Sequence, residues 1–338
     1  MQYRRLGDSG LRVSALCLGA MTFGERTGPA AAGRILGAAR EAGVNFIDTA
    51  DSYGTRFGDS ERMVGRLLRR GRESWVLATK VGNVADRSDP NSGGLSRRWL
   101  LAAADASLAR LGTGHIDLYY WHREDPGTPL EESLCAMDEL VRTGKVRYWG
   151  ISNFPVWRVA EAVSECRRLG LVAPIAVQPY YNAMNRQAEV DMLPACAHFG
   201  LGVVPYSPLA RGVLTGKYLP GRSPPPDSRA GRRNRRMMET EYRDESLRAA
   251  QRIKRHAEKK GVTAGQFALA WVLNNARVTA VLAGPRTEGQ WREYLGALEV
   301  TLDAADEAFM DALVPPGHPS TPGYTDPKFP VTGRVPRA

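Results

Sequence analysis

Along most of the chain, short apolar runs alternate with stretches whose apolar residues recur every three or four positions. The runs at residues 16–20, 45–50, 75–81, 116–122, 146–153, 175–181, 202–207 and 279–284 read as strands. They are apolar almost throughout, the pattern of a parallel sheet covered by helices. The stretches between them read as helices. Residues 29–42 open with Pro29 in the first turn and stop before Gly43. Residues 60–70 begin at "SERM", and residues 96–111, 155–169 and 188–199 stop at Gly112, Gly170 and Gly200. Residues 129–143 carry "PLEE" in their first turn, where acids suit the helix dipole. Residues 287–298 follow the last run.

Eight strands, each leading into a helix, predict an α/β fold, a (β/α)8 TIM barrel. The alternative is an open doubly wound sheet. It would want a G-x-G-x-x-G after its first strand, and the chain has none. A single domain over residues 1–338 is expected. Residues 1–14 read as a hairpin with "GDSG" as its turn, capping one end. Residues 245–261 and 264–274 are extra helices before the last strand. Residues 220–243 form a long loop rich in Pro and Arg, of a length that is usually functional or disordered. The tail from 315 to 338 sets Tyr324 and Phe329 among prolines. It is compatible with a fold over the pocket, with covering a neighbouring subunit, or with a loose end.

Composition narrows this little. The 338 residues are 43% hydrophobic and 24% charged, ordinary for a globular protein, with a formal net charge of +10. That charge suits nucleic acid, an acidic membrane or an anionic small ligand. Cys17, Cys135, Cys166 and Cys196 form no C-x-x-C and lack histidines at metal spacing, so they read as reduced core residues and no metal is expected. The start of the chain does not read as a signal peptide, and no stretch approaches the roughly 20 apolar residues of a membrane span. A cytoplasmic protein is expected.

The chemistry lies where the strands end. "FIDTADSYGT" starts as a strand and then brings Asp48, Asp51 and Tyr53 within a few positions. Each alone reads as a turn residue. But "WVLATKVG" carries Lys80 in an apolar run, and "IDLYYWHRED" ends in His122. In a barrel, these strand ends share one rim, the usual place for an active site. Reduction of a carbonyl by hydride leaves an alkoxide that needs a proton. Tyr53 can donate it, although a phenol of pKa about 10 is a poor acid. Lys80 is expected to lower that pKa, with Asp48 holding Lys80 charged and a neutral His122 hydrogen-bonding the carbonyl oxygen.

At these residues the chain resembles the aldo-keto reductase family. "LGAMTFG", "FIDTADSYG", "LATKVG", "VRYWGISNF" and "AGPRTEGQWREYLGAL" carry the likeness over nearly the whole length. "YYWHREDPGTPLEESL" is most similar to the branch of potassium-channel β-subunits and bacterial reductases. The resemblance implies a catalytic tetrad of Asp48, Tyr53, Lys80 and His122, with Tyr53 as general acid, and NADP(H) as cofactor. It implies that Ser152, Asn153 and Gln178 hold the nicotinamide carboxamide and that Tyr206 stacks under the ring. Gly19 and Asp48 join this cofactor set. Ser207, Leu209, Gly212 and Lys217 would follow the pyrophosphate, with Arg229 adding a contact from a loop that covers the cofactor. Gly284, Arg286, Thr287, Gln290 and Glu293 match the adenosine end, where Arg286 suits a 2′-phosphate. Tyr294 stands where the family usually has asparagine, against the adenine.

Substrate-lining positions are expected at Met21, Phe23, Arg56, Phe57 and Arg123. Trp121, Tyr148 and Trp149 read as packing residues, and Arg232, Arg233, Arg235 and Arg236 as a solvated face or lid. The expected partner is a small-molecule carbonyl, with no nucleic acid and no membrane; a homo-oligomer is compatible with the chain. A cofactor-sensing, non-catalytic subunit of a larger complex is the rival reading. A barrel aldolase with Lys80 as Schiff-base lysine ranks last, because it leaves Tyr206 and the "GISN" and "GPRT" stretches without a task.

Overall fold

The computed structural model describes residues 1–330. Strands β1 (Tyr3–Arg5) and β2 (Arg12–Ser14) form the antiparallel hairpin, Tyr3 opposite Ser14. Eight parallel strands follow: β3 (Leu16–Gly19), β4 (Phe46–Asp48), β5 (Val76–Val81), β6 (Ile116–Trp121), β7 (Val146–Ser152), β8 (Ala176–Gln178), β9 (Gly202–Val203) and β10 (Val281–Ala283). They pair in chain order, and β10 pairs with β3. The Leu282 amide donates to the Pro205 carbonyl at 3.1 Å and that of Thr279 to Val203 at 2.9 Å, which joins β10 to β9 and closes the ring. The fold is a (β/α)8 barrel.

Helices α1 (Pro29–Glu41), α2 (Asp59–Leu68), α3 (Arg97–Leu111), α4 (Leu130–Arg142), α5 (Val156–Leu169) and α6 (Met192–Phe199) return between strands. After β9 come α7 (Arg235–Thr240), α8 (Asp244–Lys259) and α9 (Ala264–Asn274), and after β10 come α10 (Glu288–Leu295) and α11 (Ala304–Leu313). The last of these was not anticipated, although Asp303 and Asp306 form a capping box at its start. Cys17, Cys166 and Cys196 are buried, but Cys135 is exposed on α4 and is not a core residue.

Side-chain alternation along the strands places the site. Cys17, Phe46, Val76, Ala78, Leu118, Tyr120, Ala176, Val204 and Ala280 point into the barrel, with Leu6 and Val13 of the hairpin plugging its N-terminal end. Successive strand residues face opposite sides, so two positions further along each strand the inward face continues. Those positions are Gly19, Asp48, Lys80, His122, Gln178 and Tyr206. Gly150 lies on the same face of β7. A Cβ there would sit 2.6 Å from the Tyr120 ring and 2.7 Å from the Ala176 carbonyl, so its lack of a side chain makes room for Tyr120 inside the barrel.

The long loop is not structureless. Ser228, Ala230, Met237, Thr240 and Glu241 are buried, and the Asn234 side chain caps α7 by accepting from the Met237 amide. Its near half is folded back so that a Cβ on Gly231 would meet the Pro225 carbonyl at 2.2 Å. The described part of the tail crosses this loop. Arg236 pairs with both carboxylate oxygens of Asp326, and the Arg243 guanidinium lies 3.7 Å from the Tyr324 ring centroid. No helix among the described residues is long and apolar enough to cross a membrane.

Candidate active site

A cavity of about 760 Å³ opens at the C-terminal ends of the strands. Beneath it the Lys80 ammonium, 0% exposed, pairs with Asp48, donates to the Thr49 carbonyl at 2.8 Å and reaches the Tyr53 hydroxyl at 3.4 Å. The second Asp48 oxygen accepts from the Gln178 amide at 3.0 Å. His122 stands edge-on to Tyr53, ring centroids 5.6 Å apart. The Asn83 amide nitrogen lies 3.0 Å from His122 Nδ1 and donates to Ser52 Oγ at 3.0 Å. All four residues of the expected tetrad thus meet at one place.

Electrostatics follow from burial first. Burial pushes the Tyr53 phenol above its ordinary pKa; Lys80 pulls the other way and does not prevail. Lys80 acts in the expected direction, but burial is the larger effect, so the phenol stays above its ordinary value and Tyr53 keeps its proton. Burial opposes the Lys80 charge, but Asp48 and Tyr53 outweigh it and its pKa is raised. Burial, then Lys80, Lys328 and Arg123, hold His122 well below the usual histidine value, so it is neutral at pH 7. Asp51 does not reach the cavity. It is wholly buried, and burial, then the nearby Glu61, lift its pKa well above the ordinary carboxyl value.

The other expected residues gather along the same cavity. Gly19, Ser152, Asn153, Gln178, Tyr206, Ser207, Leu209, Gly212, Lys217, Arg229, Gly284, Arg286, Gln290, Glu293 and Tyr294 all line it, and Gly19 lies against Gly284 where β3 and β10 end side by side. Thr287 caps α10 by accepting from the Gln290 amide, and the Gln290 side chain accepts from the Arg286 amide at 2.8 Å. Tyr206 donates to Asn153 Oδ1 at 2.8 Å and stacks on Tyr180, centroids 5.5 Å apart. Asn153, Ser207 and Arg211 have φ of 58°, 56° and 51°. A left-handed backbone costs a non-glycine residue roughly 1–2 kcal/mol, and here three such residues line one cavity.

Of the expected substrate positions only Met21 lines the cavity. Phe23 is 0% exposed in the core between barrel and helices, because its amide closes a turn onto Ala20. Arg56 points into solvent beside Asp59, and Phe57 lies under the Arg110 guanidinium. Arg123 is exposed outside the lining, near enough for its charge to reach His122. Sequence reasoning missed Ser52, Asn83, Arg211 and Lys328, which do line it, as do Arg236 from the expected face or lid and Phe329 from the tail. Asn83 and Arg211 sit in stretches already singled out. Lys328 had no local signal.

The barrel, the four buried and half-buried polar groups at its rim, and the long cationic cavity have a counterpart among known sequences. Residues 15–315 match the sequence model of the Aldo/keto reductase family. The chain belongs to that family. A probable voltage-gated potassium channel subunit beta of Oryza sativa subsp. japonica is 40% identical over 306 residues, 89% of this chain and 92% of the relative. An uncharacterized oxidoreductase of Bacillus subtilis (strain 168) is 38% identical over 96% of this chain and 99% of its own length. An L-glyceraldehyde 3-phosphate reductase of Escherichia coli (strain K12) is 36% identical over 94% and 93%. Aldo-keto reductases are oxidoreductases that use a nicotinamide cofactor, and the residues present fit one. Lys217, Arg229 and Arg286 line the cavity without a carboxylate partner among the described residues, and the buried Nε of Arg211 is unpaired. Unpaired cations along a cavity suit a ligand with several phosphate charges.

Proposed function

We propose that the protein reduces an aldehyde or ketone to an alcohol with NADPH, Tyr53 being the general acid. The observation that carries this reading is the buried Lys80–Asp48 pair, set 3.4 Å from the one phenol that opens beside His122. A bound nicotinamide supplies the hydride that adds to the carbonyl carbon. Tyr53 passes its hydroxyl proton to the carbonyl oxygen, and Lys80 stabilises the phenolate left behind. Asp48, held by Gln178, keeps Lys80 charged and aimed. Asn83 donates to Nδ1 of His122, which leaves the imidazole proton on Nε2, facing the carbonyl oxygen. Ser152, Asn153, Gln178 and Tyr206 would hold the nicotinamide. Arg286 would meet the 2′-phosphate, and Tyr294 would pack on the adenine. Lys80 as a Schiff-base lysine fits poorly, because its pKa is shifted up, away from a free amine.

The relative from rice favours a second reading, a cofactor-sensing subunit of a larger complex. Both readings hold NADPH; steady turnover separates them. The test is a panel of carbonyl compounds followed by NADPH absorbance, on the wild type and on Tyr53→Phe. Steady reduction by the wild type is expected, with a loss on the order of 10²–10⁴-fold in the variant and little change in NADPH affinity. No turnover of any carbonyl by a protein that binds NADPH would favour the sensing subunit. Undiminished turnover by Tyr53→Phe would remove the phenol from its role.

A further inference from the structure

Building on the reductase reading, we propose that the C-terminal tail supplies an anion-binding subsite beside the reacting carbonyl, so that the substrate is a carbonyl compound bearing a carboxylate or phosphate. Lys328 and Phe329 line the same cavity as Tyr53 and His122. Their placement is built, not incidental. Arg236 pairs with both oxygens of Asp326, the Oδ1 contact at 2.6 Å, and Arg243 donates to Thr321 Oγ1 at 2.7 Å. The same Asp326 Oδ1 accepts from the Lys328 backbone amide at 2.9 Å. Asp326 therefore fixes the turn that carries Lys328, while its charge is matched by Arg236.

The Lys328 ammonium is left without a carboxylate of its own among the described residues. Burial, then Arg123, Arg236 and Arg211, press its pKa below the ordinary lysine value. Its charge and that of Arg123 also reach His122. The mouth of the cavity thus holds an excess of positive charge next to the reacting groups. Arg211 is shared with the stretch assigned to the cofactor phosphates, since its charge reaches Arg229 as well as Lys328; Lys328 and Arg123 are the cations of this excess that the cofactor reading leaves unused. An anionic group entering here would find a partner that the folded chain does not provide. Phe329 beside it, and Met21 in the same lining, offer apolar wall for the carbon skeleton between anion and carbonyl.

The experiment compares pairs matched in size: para-carboxybenzaldehyde against benzaldehyde, and glycolaldehyde phosphate against glycolaldehyde. In the wild type kcat/KM is expected to favour the charged member of at least one pair by about tenfold, a half-exposed charge-assisted contact. Which pair responds tells carboxylate from phosphate. The preference should sit in KM and shrink with added salt. Lys328→Met should bring the charged-to-neutral ratio towards one, and Lys328→Arg should keep it. Binding of para-(hydroxymethyl)benzoate and of benzyl alcohol, read by tryptophan fluorescence, should show the same Lys328-dependent difference without turnover. A wild-type ratio near one in both pairs, or an unchanged ratio in Lys328→Met, overturns the subsite while leaving the reductase reading in place. A protein that reduces no carbonyl but binds the benzoate through Lys328 does the reverse.

Discussion

At the scale of single residues, the site separates two groups by the proton each keeps. His122 is held neutral below the ordinary histidine value of 6.5, and Tyr53 keeps its proton above the ordinary phenol value of 10.0. Neither changes charge across the neutral range. The rate of the reduction step, measured in single turnovers, should therefore show no loss as pH falls through 6.5 and should decline only beyond 10, as the acid is lost. An acid limb near 6.5 would mean that His122 takes up a proton there. Stability carries the matching sign. Unfolded, His122 gains a proton at its ordinary value; folded, it does not. Its contribution is thus complete above 6.5 and is lost as pH falls from there towards the depressed folded value. Urea unfolding at a series of pH values reads this.

At the scale of elements, the barrel wall and the strap across its mouth are separately testable. On β7, Gly150→Ala would place a methyl 2.6 Å from the Tyr120 ring and 2.7 Å from a backbone carbonyl of β8. Overpacking of this kind costs about 1–3 kcal/mol, expected as a lower urea midpoint with an unchanged slope. The strap depends on Asp326, which holds Arg236 and thereby joins the tail to the start of α7. Asp326→Asn removes the charge and keeps the shape. Trypsin should then cut after Arg232, Arg233, Arg235 or Arg236 several-fold faster than in the wild type, because cleavage follows the opened population. Equal rates would show that burial of Met237 and Thr240 holds the loop without help.

At the scale of the whole molecule, the net charge of +10 is not spread evenly in its effect, since Lys217, Arg229 and Arg286 converge on one cavity. A cavity lined by one sign of charge attracts a polyanion, and salt weakens that attraction. NADPH affinity, read by fluorescence quenching, should fall with added salt more steeply than NADH affinity, because NADPH carries the additional phosphate. Arg286→Ala should cost roughly 10- to 100-fold for NADPH, a charge-assisted contact, and clearly less for NADH. Equal losses would place Arg286 away from that phosphate.

The order of strands and helices was legible in the sequence by itself, because burial on a covered sheet and capping at Gly112, Gly170 or Gly200 are local events that leave local patterns. The tetrad was legible for the same reason: Asp48, Lys80 and His122 each stand at or next to the end of a strand, and alternation along a strand sends each of them inward. The start of α11 was written there too, in Asp303 and Asp306, and went unread. What only the tertiary structure decided is what depends on surroundings distant in the chain. Burial outweighs the neighbouring ammonium at the Tyr53 phenol. Phe23 turns into the core and Arg56 into solvent although both flank motif residues. Lys328 arrives at His122 because Asp326 is caught by Arg236. A pKa, a cavity lining and a subsite are sums over neighbours in space, and those neighbours come together only when the ring of strands closes and the tail crosses its mouth.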